Sequence, residues 1–275
     1  MSYLGKYLNM PPTIDKLHTL EKEIEKKGYS LSDLSLYLEF DFSPYETTPY
    51  DVITFASTGV DGIHFGFLTD FGTVSDLENA FVVCISPMDF DTHIKIVARN
   101  IREFLSLVCT MKGALSISNF NIFEEEEQYI QYLQEQNQVK PEDKEFEEEA
   151  KYVVEKIIAA FGSEPIEDVY HYVEIKVREQ RAQQTIFPTL DGLGIIPVDN
   201  VTSSHILYKL EKDMTIDLAE MKAFFYSATT ESKLAFIRDV QFTYLITNEI
   251  ALKEMVIHEM IKLGLQDEVD RLYVF

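Results

Sequence analysis

The chain has 275 residues, of which 46% are hydrophobic, and it carries a formal net charge of −23. This composition supports a packed core of one or two domains and excludes a wholly disordered chain. The absence of any run of 18 apolar residues excludes a membrane-spanning helix, and the excess of carboxylates disfavours direct binding to nucleic acid or to an anionic membrane.

Cys84 and Cys109 lie within apolar runs and fit no zinc-ligand spacing. They are therefore predicted to be buried free thiols in a reducing compartment, where disulfides are rare. Residues 1–23 contain no apolar segment followed by a small-residue cleavage site, so no secretory signal is expected. We expect a cytoplasmic protein.

The N-terminal elements are predicted to be helical. Ile14, Leu17 and Ile24 recur at helical spacing, and Gly28 offers a C-terminal stop. Residues 30–33, Ser-Leu-Ser-Asp, are typical of the capped start of a short second helix.

Alternating apolar residues on both sides of the turn Gly59–Gly62 predict a β-hairpin. Ile53 and Phe55 would share one face of the first strand, and Ile63, Phe65 and Phe67 would share one face of the second. The continuous apolar run Ala80–Ser86 predicts a further strand, buried on both faces.

Residues 91–113 carry apolar side chains at helical spacing, which predicts one amphipathic helix that ends near Gly113. Asp91 or Thr92 would cap its start. Alternatively, Asp89, Asp91 and His93 would share one face of a strand as metal ligands, but their position between Pro87 and the helix favours the cap. Three strands followed by a helix predict an α+β core with an antiparallel sheet.

Three segments of this core resemble the SUKH superfamily: Phe55–Asp70, the strand Phe81–Ser86, and Ile96–Leu105. SUKH proteins are small α+β domains that include a fungal cell-wall synthesis regulator and many bacterial immunity proteins. The resemblance implies a helix at Ile96–Leu105 and a non-catalytic role in which the domain binds and neutralises a partner protein, often a toxin nuclease. It supplies no binding residues, because family members bind varied targets.

The segment from Glu124 to Glu149 is strongly acidic and is divided by Pro141. Two solvated helices, or one helix and a joint, would explain this composition. The alternative is a surface that binds a basic partner, since charged blocks often serve as interaction segments. The candidate partner-binding residues are Glu124, Glu125, Glu126, Glu127, Glu142, Asp143, Glu145, Glu147, Glu148 and Glu149.

Beyond this segment, helical patterns continue to residue 184, and residues 185–200 form a loop-like stretch with two prolines and two glycines. Residues 203–212 are predicted to form a strand. From Asp217 onward the pattern is helical, and Thr230 and Asn248 each open a helix as capping residues. We predict an α+β core over 1–123, an acidic and helical connecting region over 124–190, and a mainly helical region over 191–275.

The residue types that carry chemistry do not assemble into a known catalytic motif. His258 lacks the second histidine of a zinc-protease helix, and Ser57 is not in a G-x-S-x-G turn. Asp61 and Asp70 flank the hairpin, where turn hydrogen bonds explain them better than a catalytic pair. Cys84 would be inert in a buried strand. We therefore predict no enzymatic activity, no metal and no cofactor.

The function predicted from these features is that of a non-catalytic, acidic protein-binding module, such as an immunity protein that neutralises a basic toxin. Two alternatives stay open. One is a regulatory scaffold linked to cell-envelope synthesis, and the other is a small-molecule binder or enzyme with an unrecognised pocket where the helical half meets the sheet.

Overall fold

The computed structural model describes residues 3–39, 45–89, 91–136, 144–198, 204–210 and 216–273. Within these residues the chain forms one antiparallel sheet of five strands in the order β1-β2-β3-β4-β5. The strands are β1 (Tyr37–Leu38), β2 (Val52–Ser57), β3 (His64–Leu68), β4 (Val82–Ile85) and β5 (Ile94–Ala98).

The predicted hairpin and the buried strand are confirmed. Ile53 of β2 lies opposite Phe67 of β3, and β4 pairs with β3 through four residues that are all buried. Gly59, Asp61 and Gly62 adopt φ angles of 73°, 50° and 71°, a left-handed backbone that glycine and aspartate tolerate in such turns.

The prediction of one helix over residues 91–113 is wrong in its first part. Residues Ile94–Ala98 form β5, which pairs with β4, and the helix starts only after Asn100. Asn100 caps it, because its side-chain oxygen accepts a hydrogen bond from the Glu103 N–H at 3.0 Å. Asp91 and Thr92 therefore do not cap the helix.

The helices begin and end as follows. The α-helices are α1 (Pro12–Glu25), α2 (Ile101–Met111), α3 (Ala114–Ser118), α4 (Glu126–Gln136), α5 (Lys144–Phe161), α6 (Arg178–Ala182), α7 (Leu218–Ser227), α8 (Thr230–Phe242), α9 (Leu245–Asn248), α10 (Ile250–Lys262) and α11 (Gln266–Leu272). Short 3₁₀ turns occupy Leu31–Leu34, Leu77–Asn79 and Asn119–Asn121, and a π-helical segment, His171–Val177, leads into α6.

Buried side chains form two hydrophobic clusters. The first joins the sheet to α1, α2 and α5, and it includes residues of the acidic and helical region, such as Tyr129, Val153 and Val173. The second is built by α7, α8, α10 and α11 around Phe236 and includes Tyr50 from the start of the sheet region. An α+β fold followed by a mainly helical C-terminal part is confirmed, whereas the boundaries at 123 and 190 stay a prediction.

Three local predictions for the C-terminal part are wrong. Residues 204–210, the described part of the predicted strand 203–212, contain no strand. Thr229 rather than Thr230 caps α8, and the start of α10 has no side-chain cap. No helix in the described part of the chain is long and apolar enough to cross a membrane.

Candidate functional site

The first four candidate glutamates are exposed at the start of α4. Glu124 and Glu125 precede the helix, and Glu126 and Glu127 occupy its first turn. The backbone N–H groups of Glu124 and Glu125 donate to the side-chain oxygen of Gln128, at 2.6 and 3.2 Å. Carboxylates are stable here because the N-terminal end of a helix carries partial positive charge.

Aromatic packing fixes this end of α4. Tyr129 is buried, with ring centroids 5.5 Å from Phe120 and 6.0 Å from Tyr170. Burial raises the pKa of Tyr129 to about 12, and the negative charge of Asp168 contributes to the shift. Asp168 is itself exposed, and it lies close enough to Tyr129 to act on that ring electrostatically.

We call Glu124–Glu127 and Asp168 the α4 acidic surface. Sequence reasoning missed Asp168, which lies about 30 residues beyond the end of α4 and comes near it through the packing of Tyr129 on Tyr170. The only signal for Asp168 in the sequence is local, because aspartate is a typical residue at the start of a helix. In the structure the Asp168 carboxylate accepts a hydrogen bond from the N–H of His171 at 2.9 Å.

The remaining candidate residues fall near the start of α5. Glu147 and Glu148 are exposed and Glu149 is partly buried. Glu145 lies on α5, but its side chain is outside the described residues, as are Glu142 and Asp143 entirely.

All six arginines of the chain form ion pairs with carboxylates of the same chain. The pairs are Arg99–Glu103, Arg102–Glu78, Arg178–Glu174, Arg181–Asp70, Arg238–Asp51 and Arg271–Glu268, with nitrogen–oxygen distances of 2.6 to 3.2 Å. Arginine is the residue that most often binds anionic partners. The net charge of −23 arises because 47 acidic residues outnumber 24 basic ones, and the carboxylates of the α4 acidic surface belong to this excess.

A buried ionic network joins the sheet to the helical half of the chain. It consists of Asp51, Asp70, Arg181, Asp191 and Arg238, each at most 5% exposed. Arg181 holds Asp70 with two hydrogen bonds of 2.8 and 2.6 Å, and Arg238 donates to Asp51 at 2.6 Å and to Asp191 at 3.2 Å. Burial raises the pKa of Asp51, and the charge of Arg238 opposes this shift.

The network holds a turn with an unusual backbone. Asp70, Phe71 and Gly72 have consecutive φ angles of 48°, 52° and 76°, a left-handed conformation that costs energy for the first two residues. The guanidinium of Arg238 lies 5.0 Å from the centroid of the Phe71 ring. Asp70 was predicted to be a turn residue, but it also anchors this turn to distant arginines.

A cleft of about 600 Å³ lies beside the network, between β5, α6 and the loop 185–194. Lys95, Arg178, Arg181 and Asp191 contribute its charged lining. Glu174, from the π-helical segment, lies 2.5 Å from the Lys95 ammonium and 3.2 Å from the Arg178 guanidinium. Sequence reasoning placed a pocket only as an alternative, where the helical half meets the sheet.

Among the described residues, the histidines and cysteines do not form a metal site. His93 stacks on Phe242 with centroids 4.7 Å apart, and no group of histidine, cysteine and carboxylate side chains in the described ranges is placed to hold a metal ion. Cys84 and Cys109 are buried and unpaired with each other, as predicted, and burial raises the pKa of Cys109 to about 12.

A scan against protein-family models and a search of curated proteins found no match to the chain.

Proposed function

We propose that this chain is a non-catalytic, SUKH-like module that binds a basic protein through the α4 acidic surface. The observation that carries the proposal is the contrast between exposed carboxylates at the start of α4 and arginines that are all paired internally. An immunity protein that neutralises a basic toxin is the form of this function that the family resemblance favours.

Electrostatics supports a role in partner selection. A surface of one sign accelerates encounter with a partner of the opposite sign and disfavours partners of like sign. The start of α4 is also packed against the core, because the buried Tyr129 contacts Phe120 and Tyr170. A preformed surface loses little conformational entropy on binding.

The proposal is tested by cross-linking and affinity capture from the native cells, followed by titration of the captured basic protein. In the first variant, Glu124, Glu125, Glu126 and Glu127 are replaced by glutamine. The matched control replaces four exposed glutamates elsewhere, Glu23, Glu25, Glu220 and Glu254, by glutamine. Both variants lose the same charge, so they separate a local surface from net charge.

We expect the α4 variant to weaken binding at least about tenfold and to reduce its salt dependence, because charge pairs at an interface contribute on this scale. The control variant should bind within about threefold of the wild type. Equal weakening by both variants would show that only the net charge acts, and no weakening by the α4 variant would overturn the proposal.

A further inference from the structure

We infer that the cleft between β5, α6 and the loop 185–194 binds a small organic anion with an apolar body. This inference goes beyond the proposed protein-binding function and concerns a different surface. It identifies the ligand by class, an aromatic or branched aliphatic acid with one negative charge.

The size of the cleft fits such a ligand. Its volume of about 600 Å³ lies within the range of roughly 300 to 1,000 Å³ typical of small-molecule sites. Such sites are mostly apolar, with a few polar groups that fix the orientation of the ligand. The apolar lining residues are Ile94, Ile96, Ile186, Phe187, Pro188 and Leu193.

The charged lining favours one anion. Arg181 and Asp191, both nine-tenths buried or more, are engaged in the ionic network. At the rim, Lys95 and Arg178 share the single carboxylate of Glu174. The rim therefore holds one more cation than carboxylate, in a chain whose net charge is −23.

Arg178 is the residue best placed to bind the anion. Its side chain is 68% exposed and, within the described part of the chain, makes one ion pair, through Nη1, so the rest of its planar guanidinium can turn toward a ligand in the cleft. One excess cation compensates a monoanion but not a nucleoside triphosphate, whose several charges would face Asp191 and Glu174.

The backbone beneath the rim supports a functional role. Glu174 lies within the seven-residue π-helical segment His171–Val177. π-Helical turns are rare, and they occur frequently at functional sites. Here the segment places the Glu174 carboxylate, only 7% exposed, between the two rim cations.

The test uses two fluorescent probes that share one aromatic body. 1-Anilinonaphthalene-8-sulfonate carries one negative charge, and N-phenyl-1-naphthylamine carries none. We expect the wild-type chain to bind the sulfonate saturably with one-to-one stoichiometry. Arg178→Gln should weaken the affinity for the sulfonate by about three- to tenfold, which is the scale of a charge-assisted hydrogen bond at a partly exposed site. The same variant should keep its affinity for the neutral probe within about twofold of the wild type.

Two further variants complete the test. Ile186→Glu places a charge on the apolar wall and should weaken the affinity for both probes, because contact with a bound apolar ring would desolvate the carboxylate. Arg102→Gln is the matched control, since Arg102 is 71% exposed, pairs with Glu78 and lies outside the cleft. It should change neither affinity. The circular dichroism and urea midpoint of each variant should match the wild type, because Arg178, Ile186 and Arg102 are all exposed.

Three results would overturn the inference. They are no saturable binding of the sulfonate, an equal loss of affinity for both probes in Arg178→Gln, or a loss of sulfonate affinity in Arg102→Gln as large as that in Arg178→Gln. None of these results would bear on the α4 acidic surface, whose variants are assayed with a protein partner.

Discussion

At the scale of single residues, Arg238 is the group on which the buried network depends most. It contacts Asp51 and Asp191 directly and lies 3.6 Å from Asp70. Removal of one partner of a buried ion pair leaves an uncompensated charge, which costs more than the pair contributes. The Arg238→Met variant should therefore lower the free energy of unfolding by about 3 to 5 kcal/mol, as measured by urea denaturation.

Arg102→Gln supplies the comparison for this prediction. Arg102 also pairs with a carboxylate, but it is 71% exposed, so its removal should cost less than about 1 kcal/mol. Similar losses in the two variants would mean that burial of the Arg238 network contributes nothing beyond an ordinary surface pair.

Asp239 predicts a pH dependence of stability. Burial raises its pKa to about 7, and Asp191 adds to the shift, while the Leu190 N–H at 2.8 Å and Arg238 oppose it. Since the folded pKa lies above the ordinary value of 3.8, the native state holds the proton longer than the unfolded state. The stability contributed by this group is present below that ordinary value and is lost as the pH rises to about 7.

The Asp239→Asn variant isolates this contribution, because the amide oxygen still accepts the Leu190 N–H. Relative to the wild type, it should gain stability as the pH rises from about 4 to about 7, by at most about 1.4 kcal/mol per pH unit. Urea midpoints of both proteins across this range would measure the difference. A difference that stays constant with pH would show that Asp239 has an ordinary pKa.

At the scale of elements, the start of α2 distinguishes two interpretations of residues 91–113, which are one continuous helix or strand β5 followed by α2. Asn100→Ala should cost about 1 kcal/mol of unfolding free energy, because the cap to the Glu103 N–H is lost. Thr92→Ala, at a position that the sequence favoured as a cap, should cost little. Urea denaturation measures both, and a larger loss for Thr92→Ala would contradict the boundary between β5 and α2.

Gly66 explains how β2 and β3 approach each other. A Cβ atom at this position would overlap the Val52 side chain and lie 3.0 Å from the carbonyl oxygen of Ile53. Gly66→Ala should therefore destabilise the sheet by about 1 to 3 kcal/mol through overpacking. Gly113→Ala is the control, because its nearest contact is 3.6 Å away. A smaller decrease in the urea midpoint of unfolding for Gly66→Ala than for Gly113→Ala would contradict this packing.

Strand β5, which the sequence analysis missed, shows that a local periodicity does not always determine secondary structure. Ile94, Ile96 and Ala98 alternate as a strand requires, but Val97, Ile101 and Phe104 also recur at helical spacing. Periodicity alone does not choose between these two patterns. The choice depends on β4, which is buried on both faces and takes a second neighbour through the register Ile85 opposite Ile94.

At the scale of the whole molecule, the ionic network connects the two hydrophobic clusters. Asp51 and Asp70 flank the β2–β3 hairpin, whereas Arg238 lies on α8 within the second cluster. Arg271 of α11 strengthens the connection, because it donates to the carbonyl oxygen of Tyr3, which packs against the first cluster, at 3.1 Å. We therefore expect the wild-type chain to unfold cooperatively.

Asp70→Asn tests this coupling, because it removes, with little change in shape, a charge that pairs with Arg181 and lies 3.6 Å from Arg238 of α8. Hydrogen exchange should then show that α8 and α10 lose protection at a lower urea concentration than β3. In the wild type the three elements should lose protection together. Simultaneous loss in both proteins would show that the clusters are coupled by apolar contacts alone.

The sequence by itself determined the elements whose signals are local. The turn Gly59–Gly62, the apolar strand Ala80–Ser86 and helix α1 follow from glycine positions and from periodicity, and the exposed glutamates before α4 follow from composition. Tertiary structure decided what joins segments far apart in the chain. Asp168 meets α4 through a tyrosine pair, and Lys95 meets Glu174 to form the cleft rim. Such contacts depend on how whole elements pack, because charges and rings separated by tens of residues carry no mark of each other in the sequence.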